Sequence, residues 1–251
     1  HVARAKGGVG LIIVEASFIR PDGRGFLRQV GVHSDEMIPG LRRLVDEVHA
    51  AGAKIAIQIF HAGRQTSSAI SGIQPVAPSP VCCPVTQEMP RELSVKEIKQ
   101  LIDDFAAAAY RVRQAGFDAV EIHGAHGYLI AAFLSPFSNR RLDEYGGGLV
   151  NRARFAIEVV RKVRETVGPD FPILFRISAS EFVDGGLTLA ETKAVTPMVI
   201  EAGADAIDVS AGNYATASGI LVAPMEVEPG PLTALSYGIK QVSSVPVTVA
   251  D

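Results

Sequence analysis

Residues 94–122 read SVKEIKQLIDDFAAAAYRVRQAGFDAVEI and contain one complete helix-to-strand unit. Ser94 followed by Glu97 is a capping box, which predicts the start of a helix. Apolar residues recur at helical spacing as far as the Ala-Gly step at 115–116, where the helix is expected to end. The short apolar run 119–122 then predicts a strand buried on both faces, as in a parallel sheet.

The same unit repeats outward along the chain in both directions. Short runs rich in Ile and Val predict six strands, at 10–15, 54–59, 119–122, 173–177, 206–209 and 245–249. Helical patterns lie between them, at 35–51, 94–114, 151–167, 188–202 and 231–242. Strands that alternate with helices predict an α/β fold with a parallel sheet.

The choice is between a closed barrel and an open doubly wound sheet. The open sheet usually carries a glycine-rich phosphate loop after a strand, whereas residues 7–10 (GGVG) precede one and are interpreted as a helix end and turn. We therefore expect a (β/α)8 TIM barrel, one domain over 1–251, lacking the first and at least the last βα unit of the usual eight. The irregular stretch 62–93 is expected to cover the barrel mouth.

Composition excludes several classes of function. Hydrophobic residues make up 47% and charged residues 20% of the chain, a globular balance, and the net charge of −3 gives no case for a nucleic acid or an anionic membrane as partner. No apolar run reaches about 18 residues. Cys82 and Cys83 are adjacent and are expected to be free thiols in a reducing compartment, which indicates the cytoplasm. A homo-oligomer is the common default.

Chemistry in such barrels lies at the carboxyl ends of the strands, where His123, His126 and Tyr128 follow the run 119–122. Two neutral imidazoles can converge on one oxygen and stabilise negative charge on it, and a tyrosine hydroxyl can deliver a proton. The same histidines could form a metal site, although no third ligand is evident, or could be structural.

The run 54–59 ends in Gln58, whose amide offers both a donor and an acceptor to the edge of a ring. His61 and Arg64 follow it as ligands of a substrate or phosphate or, as we prefer, as anchors of the long loop.

Arg176 lies within an apolar strand, so either a carboxylate or an anionic ligand must pair with it. Glu15 is expected to be a buried structural carboxylate. The small residues at 210–212 permit close approach of a ligand.

Several motifs resemble the Old Yellow Enzyme family, in order and over nearly the whole chain. They are residues 4–11 (RAKGGVGL), 58–64 (QIFHAGR), 123–130 (HGAHGYLI), 133–136 (FLSP), 139–147 (NRRLDEYGG), 151–155 (NRARF) and 176–179 (RISA). The histidine pair resembles the His/His form of the family's substrate site.

The resemblance implies a barrel that binds FMN, takes hydride from NADH or NADPH and reduces activated carbon–carbon double bonds of enone-type small molecules. It implies that Ala16, Gln58 and Arg176 contact the flavin. It further implies that His123 and His126 bind the substrate's oxygen and that Tyr128 protonates the substrate.

Three alternatives stay open. One is the barrel domain of a larger iron–sulfur flavoprotein, of the dienoyl-CoA reductase, 2-enoate reductase or amine dehydrogenase type, which would add a 4Fe–4S cluster and FAD. Another is a flavin-binding protein without catalysis, against which the set of His123, His126 and Tyr128 argues. The last is an aldolase or metal hydrolase, which needs a strand-end lysine or a third metal ligand.

Overall fold

Strands and helices alternate along residues 1–216 and 227–249, the part of the chain that the computed structural model describes. The strands are β1 (Leu11–Phe18), β2 (Lys54–Phe60), β3 (Val76–Ala77), β4 (Arg91–Glu92), β5 (Ala119–Gly124), β6 (Ile173–Ser178), β7 (Ala206–Ser210) and β8 (Val247–Val249). The helices are α1 (Val2–Lys6), α2 (Ile38–Ala50), α3 (Ser68–Ser71), α4 (Val95–Gln114), α5 (Leu129–Leu134), α6 (Leu149–Val167), α7 (Leu189–Glu201) and α8 (Thr233–Lys240). None of these helices is both long and apolar enough to cross a membrane.

The six predicted strands form one parallel sheet in the order β1-β2-β5-β6-β7-β8. The order follows the chain without the reversal that marks a doubly wound sheet. The predicted α/β class is confirmed, and the sheet supplies six of the eight strands of a (β/α)8 barrel. The glycines before β1 form a helix end and turn, as predicted, with Gly8 at a φ of +92°.

Local sequence explains where the helices begin. Ser94 accepts a hydrogen bond from the backbone of Glu97, whose side chain returns to Ser94, so the predicted capping box starts α4. Thr188 and Glu191 form a second capping box at the start of α7. Helix α5 was not predicted, because all six of its residues are buried and it has no amphipathic pattern to recognise.

Strand β1 differs from prediction in length and in the position of its carboxylate. It continues to Phe18, and its register against β2 shifts between Val14 and Ser17 at a β-bulge. The expectation of a buried Glu15 was wrong: its side chain is 68% exposed and lines an open cavity. The strand was expected to be buried on both faces, whereas Leu11, Ile13 and Glu15 lie on the face that lines this cavity.

The long loop after β2 is anchored as predicted. Arg64 is buried, donates to the carbonyl oxygens of Val81 and Cys82, and lies over the ring of Phe137 at 5.3 Å. His61 is also buried and accepts a hydrogen bond from the backbone of the same loop. These contacts join the two ends of the loop to each other and to Phe137, which follows α5.

Candidate active site

The turn that follows β5 brings three of the predicted residues together. His126 and Gly127 have left-handed backbone conformations, with φ of +61° and +77°. This conformation costs a residue other than glycine about 1–2 kcal/mol. Hydrogen bonds hold His126 in place, since its N–H donates to Ser178 Oγ at 2.9 Å and its carbonyl accepts from Gln65 Nε2 at 2.8 Å.

His123, His126 and Tyr128 form a cluster of rings. The centroids of His123 and His126 are 5.0 Å apart and their planes are nearly perpendicular. The ring centroids of Tyr128 and His123 are 5.0 Å apart. Phe60 packs edge to face against Tyr128 with the same separation. The chain therefore places the two imidazoles and the phenol next to one another.

Both imidazoles are neutral at ordinary pH. Burial, followed by the charges of His126 and Arg176, lowers the pKa of His123 well below its usual range. Burial, again with Arg176, lowers the pKa of His126 to about 3. His123 Nδ1 accepts a hydrogen bond from the Ala125 N–H at 3.2 Å, so its Nε2 carries the proton. Each neutral ring carries one N–H.

Ser210, at the end of β7, connects the histidines to Arg176. Its Oγ lies 2.6 Å from His126 Nε2 and accepts a longer hydrogen bond, 3.5 Å, from Arg176 Nη2. The sequence indicated only that small residues occupy this strand end. No local pattern reveals a partner for His126 that comes from a strand two positions away in the sheet.

Tyr214 is a site residue that sequence reasoning missed. Its hydroxyl oxygen lies 3.0 Å from that of Tyr128, and the two rings meet edge to face. Burial raises the pKa of both hydroxyls above the usual range, and at Tyr128 the neighbouring Tyr214 adds to the rise. Both phenols are therefore protonated at neutral pH. Tyr214 lies in a loop after β7, where no periodicity marks it.

A cavity of about 450 Å³ opens along the inner face of the sheet. Among the residues that line it are Ala16, Gln58, Glu121, Arg176, Asp208 and Thr248. All three predicted flavin contacts, Ala16, Gln58 and Arg176, therefore face one space. Ala16 lies at the β-bulge, so its backbone is outside the regular ladder, and its carbonyl accepts from Gln29 Nε2 at 2.6 Å.

A buried carboxyl, that of Glu121, holds the side-chain amide of Gln58 by a hydrogen bond. The Gln58 amide nitrogen donates to one oxygen of Glu121, and the other oxygen is buried without a hydrogen-bond partner. Burial, with repulsion from Asp208, raises the pKa of Glu121 to about 7. Because the amide nitrogen is engaged, the oxygen of Gln58 is left to accept a hydrogen bond from a ligand.

Arg176 has a carboxylate partner, one of the two possibilities that the sequence left open. Its Nε lies 3.1 Å from Asp208 Oδ2, although the angle is not that of a hydrogen bond. Strand register explains the pairing, because Arg176 lies directly opposite Asp208 on β7 and His123 on β5. Within residues 1–216 and 227–249, no three His, Cys, Asp or Glu side chains are grouped to hold a metal ion.

Comparison with known proteins points to one family. The profile of the NADH:flavin oxidoreductase / NADH oxidase family matches residues 1–249. An NADH oxidase of Thermoanaerobacter brockii is 48% identical over 249 residues, which are 98% of this chain and 38% of that enzyme. The chain thus spans less than two fifths of the length of that curated relative.

Two solved structures share the fold. A complex of 2-naphthoyl-CoA reductase with 2-naphthoyl-CoA has a TM-score of 0.92 and 31% identity, covering 99% of this chain and 40% of that one. An Old Yellow Enzyme homologue from Zymomonas mobilis has a TM-score of 0.85 and 30% identity, covering 100% of this chain and 71% of that one.

Proposed function

The chain belongs to the NADH:flavin oxidoreductase / NADH oxidase family, that of the Old Yellow Enzymes, and on this premise we propose that it reduces activated carbon–carbon double bonds. Its substrates in this proposal are α,β-unsaturated carbonyl compounds, and NADH or NADPH is the electron donor. In this proposal residues 1–251 belong to one FMN-binding barrel domain and supply six of its eight strands.

The residues around the cavity fit FMN. The pyrimidine edge of a flavin carries an N–H between two carbonyl groups, which matches the free oxygen and the second amide hydrogen of Gln58. The positive charge of Arg176 faces the same cavity and would stabilise the negative charge of a reduced flavin. When bound, FMN supplies hydride transfer between nicotinamide and substrate, and the protein orients the reactants.

One observation carries the proposal: two neutral imidazoles, His123 and His126, lie beside a protonated tyrosine. Two donors aimed at the oxygen of an enone stabilise the negative charge that develops there when hydride adds to the β-carbon. Tyr128 then protonates the α-carbon, which completes the reduction. A metal hydrolase or a lysine aldolase would not need this set.

The first experiment is a visible absorption spectrum of the full-length natural protein, purified without added cofactor. We expect a flavin spectrum and oxidation of NADH or NADPH in the presence of 2-cyclohexenone. Tyr128→Phe should slow enone reduction by about a hundredfold and leave flavin reduction by nicotinamide unchanged. A colourless protein that also fails to take up added FMN contradicts the proposal.

A second candidate is the barrel domain of a longer iron–sulfur flavoprotein. It is favoured by the coverage, because the chain spans 38% and 40% of two of its relatives. In that case the full-length protein also carries a 4Fe–4S cluster and FAD. The same spectrum distinguishes the two candidates, since a cluster adds broad absorption beneath the flavin bands.

A further inference from the structure

In the proposed reaction Tyr128 must regain the proton that it gives to the substrate. Only 7% of its surface is exposed, so once its proton has passed to a substrate carbon, bulk water does not reach its oxygen freely. Within the part of the chain described, the one hydrogen bond made by its hydroxyl is to Tyr214, at 3.0 Å. Tyr214 is less buried than Tyr128.

From this geometry we infer that Tyr214 is a positioning residue that relays a proton from solvent to Tyr128. The inference rests on the proposed function, in which Tyr128 protonates the substrate. Tyr214 acts through Tyr128 and does not itself contact the reacting carbon.

The steps balance in protons and electrons. After hydride addition the substrate is an enolate, and its α-carbon takes the proton of Tyr128, whose O–H bond breaks and leaves the electron pair on the phenolic oxygen. In the same step the Tyr214 hydroxyl gives its proton to that oxygen as the charge forms, and Tyr214 then takes one proton from water. The net result is one solvent proton consumed and both tyrosines restored.

The two loops that carry the tyrosines are tied together, so the short distance between the hydroxyls is built into the fold. Gln65 donates from Nε2 to the carbonyl of His126 at 2.8 Å and accepts at Oε1 from the N–H of Tyr214 at 3.4 Å. Gly127 lies against Gln65 and Asn213, where an added Cβ would come within 2.6 Å of the Gln65 oxygen.

Charge explains why a relay is useful here. Burial raises the pKa of Tyr128 above its usual range, so an isolated phenolate at this position is unfavourable. A hydroxyl at hydrogen-bond distance supplies a proton as the charge forms. Tyr128 then never has to carry a full negative charge in a buried site.

The test uses the reduced, full-length holoenzyme in single-turnover experiments with 2-cyclohexenone and with ferricyanide. Ferricyanide accepts electrons without a proton. Tyr214→Phe keeps the ring and removes only the hydroxyl, and Tyr237→Phe, an exposed residue of α8, is the matched control.

For Tyr214→Phe we expect enone reduction to slow by about tenfold, the effect of losing one hydrogen bond of ordinary strength, and ferricyanide reduction to remain unchanged. The dependence of the parental rate on the deuterium fraction of the solvent should be curved, because more than one proton moves, and should become linear in the variant. Tyr237→Phe should match the parent in every measurement.

Two outcomes overturn the relay. Enone reduction at the parental rate with the same curvature means that Tyr214 supplies no proton, and an equal loss with ferricyanide means that its hydroxyl acts on something other than proton transfer. If the parent reduces ferricyanide and no enone, the proposed function itself fails, and the relay fails with it.

Discussion

His126 Nε2 lies 2.6 Å from Ser210 Oγ, and the same oxygen is within 3.5 Å of a guanidinium nitrogen of Arg176. The serine oxygen accepts from the guanidinium, which can only donate, and keeps a second lone pair and its own hydrogen for the hydrogen bond with His126 Nε2. Ser210 therefore fixes the orientation of the His126 ring through a hydrogen bond at Nε2.

Ser210→Ala should weaken the binding of phenol, a mimic of the enolate oxygen, by about tenfold, the cost of one misdirected hydrogen bond. The flavin content should not change. Titration with phenol, followed through the flavin absorption, measures the dissociation constant. Ser236→Ala, on α8 and remote from the site, is the control. Equal dissociation constants for Ser210→Ala and the parent would show that Ser210 does not orient His126.

Binding of cyclohexanone, a neutral and unreactive carbonyl, should not vary between about pH 5 and pH 8. With a pKa of about 3, His126 is neutral throughout this range, and His123, whose pKa is also well below its usual range, is neutral with it. An affinity that rises steeply below about pH 6.5, the ordinary value for histidine, would contradict the assignment of two neutral donors. Competition against phenol provides the measurement.

Glu121→Gln should change how stability depends on pH. The folded protein raises the pKa of Glu121 from 4.5 to about 7, so it holds a proton that the unfolded chain releases. The contribution of Glu121 to the free energy of unfolding is fully present below about pH 4.5. It is lost as the pH rises to about 7, by on the order of 3 kcal/mol. Glutamine stays neutral and keeps an oxygen for Gln58, so the variant should lack this loss.

Urea denaturation of the flavin-loaded protein at about pH 5 and about pH 8 measures the effect. Glu165→Gln, an exposed carboxyl on α6, should retain the parental pH dependence. If Glu121→Gln loses as much stability as the parent between the two pH values, Glu121 is not the group that titrates.

Gly127→Ala should destabilise the protein more than Gly147→Ala. Both glycines have nearly the same left-handed φ, +77° and +78°, so alanine costs about 1–2 kcal/mol at each. An added Cβ at Gly147 meets nothing within 4 Å, whereas at Gly127 it comes within 2.6 Å of Gln65 and 2.9 Å of Asn213. The further cost of this overpacking is about 1–3 kcal/mol. Equal free energies of unfolding would mean that the two loops are not tightly packed at Gly127.

Periodicity and caps in the sequence were enough to predict the fold class. Short apolar runs separated by helices predict parallel strands, and the capping box of Ser94 and Glu97 marks the start of α4 because both interactions are local. The order of the strands in the sheet follows from the same repeat. Helix α5 was missed because it is buried on all sides and leaves no periodic signal.

The sequence also determined which residues stand at the strand ends, and hence the grouping of His123, His126 and Tyr128. Their partners were decided by the tertiary structure, because Ser210 is 84 residues from His126 and Tyr214 is 86 residues from Tyr128. Contacts across such separations leave no local pattern. The protonation states were decided there as well, since the pKa of a histidine or tyrosine depends on how far the folded chain removes it from water.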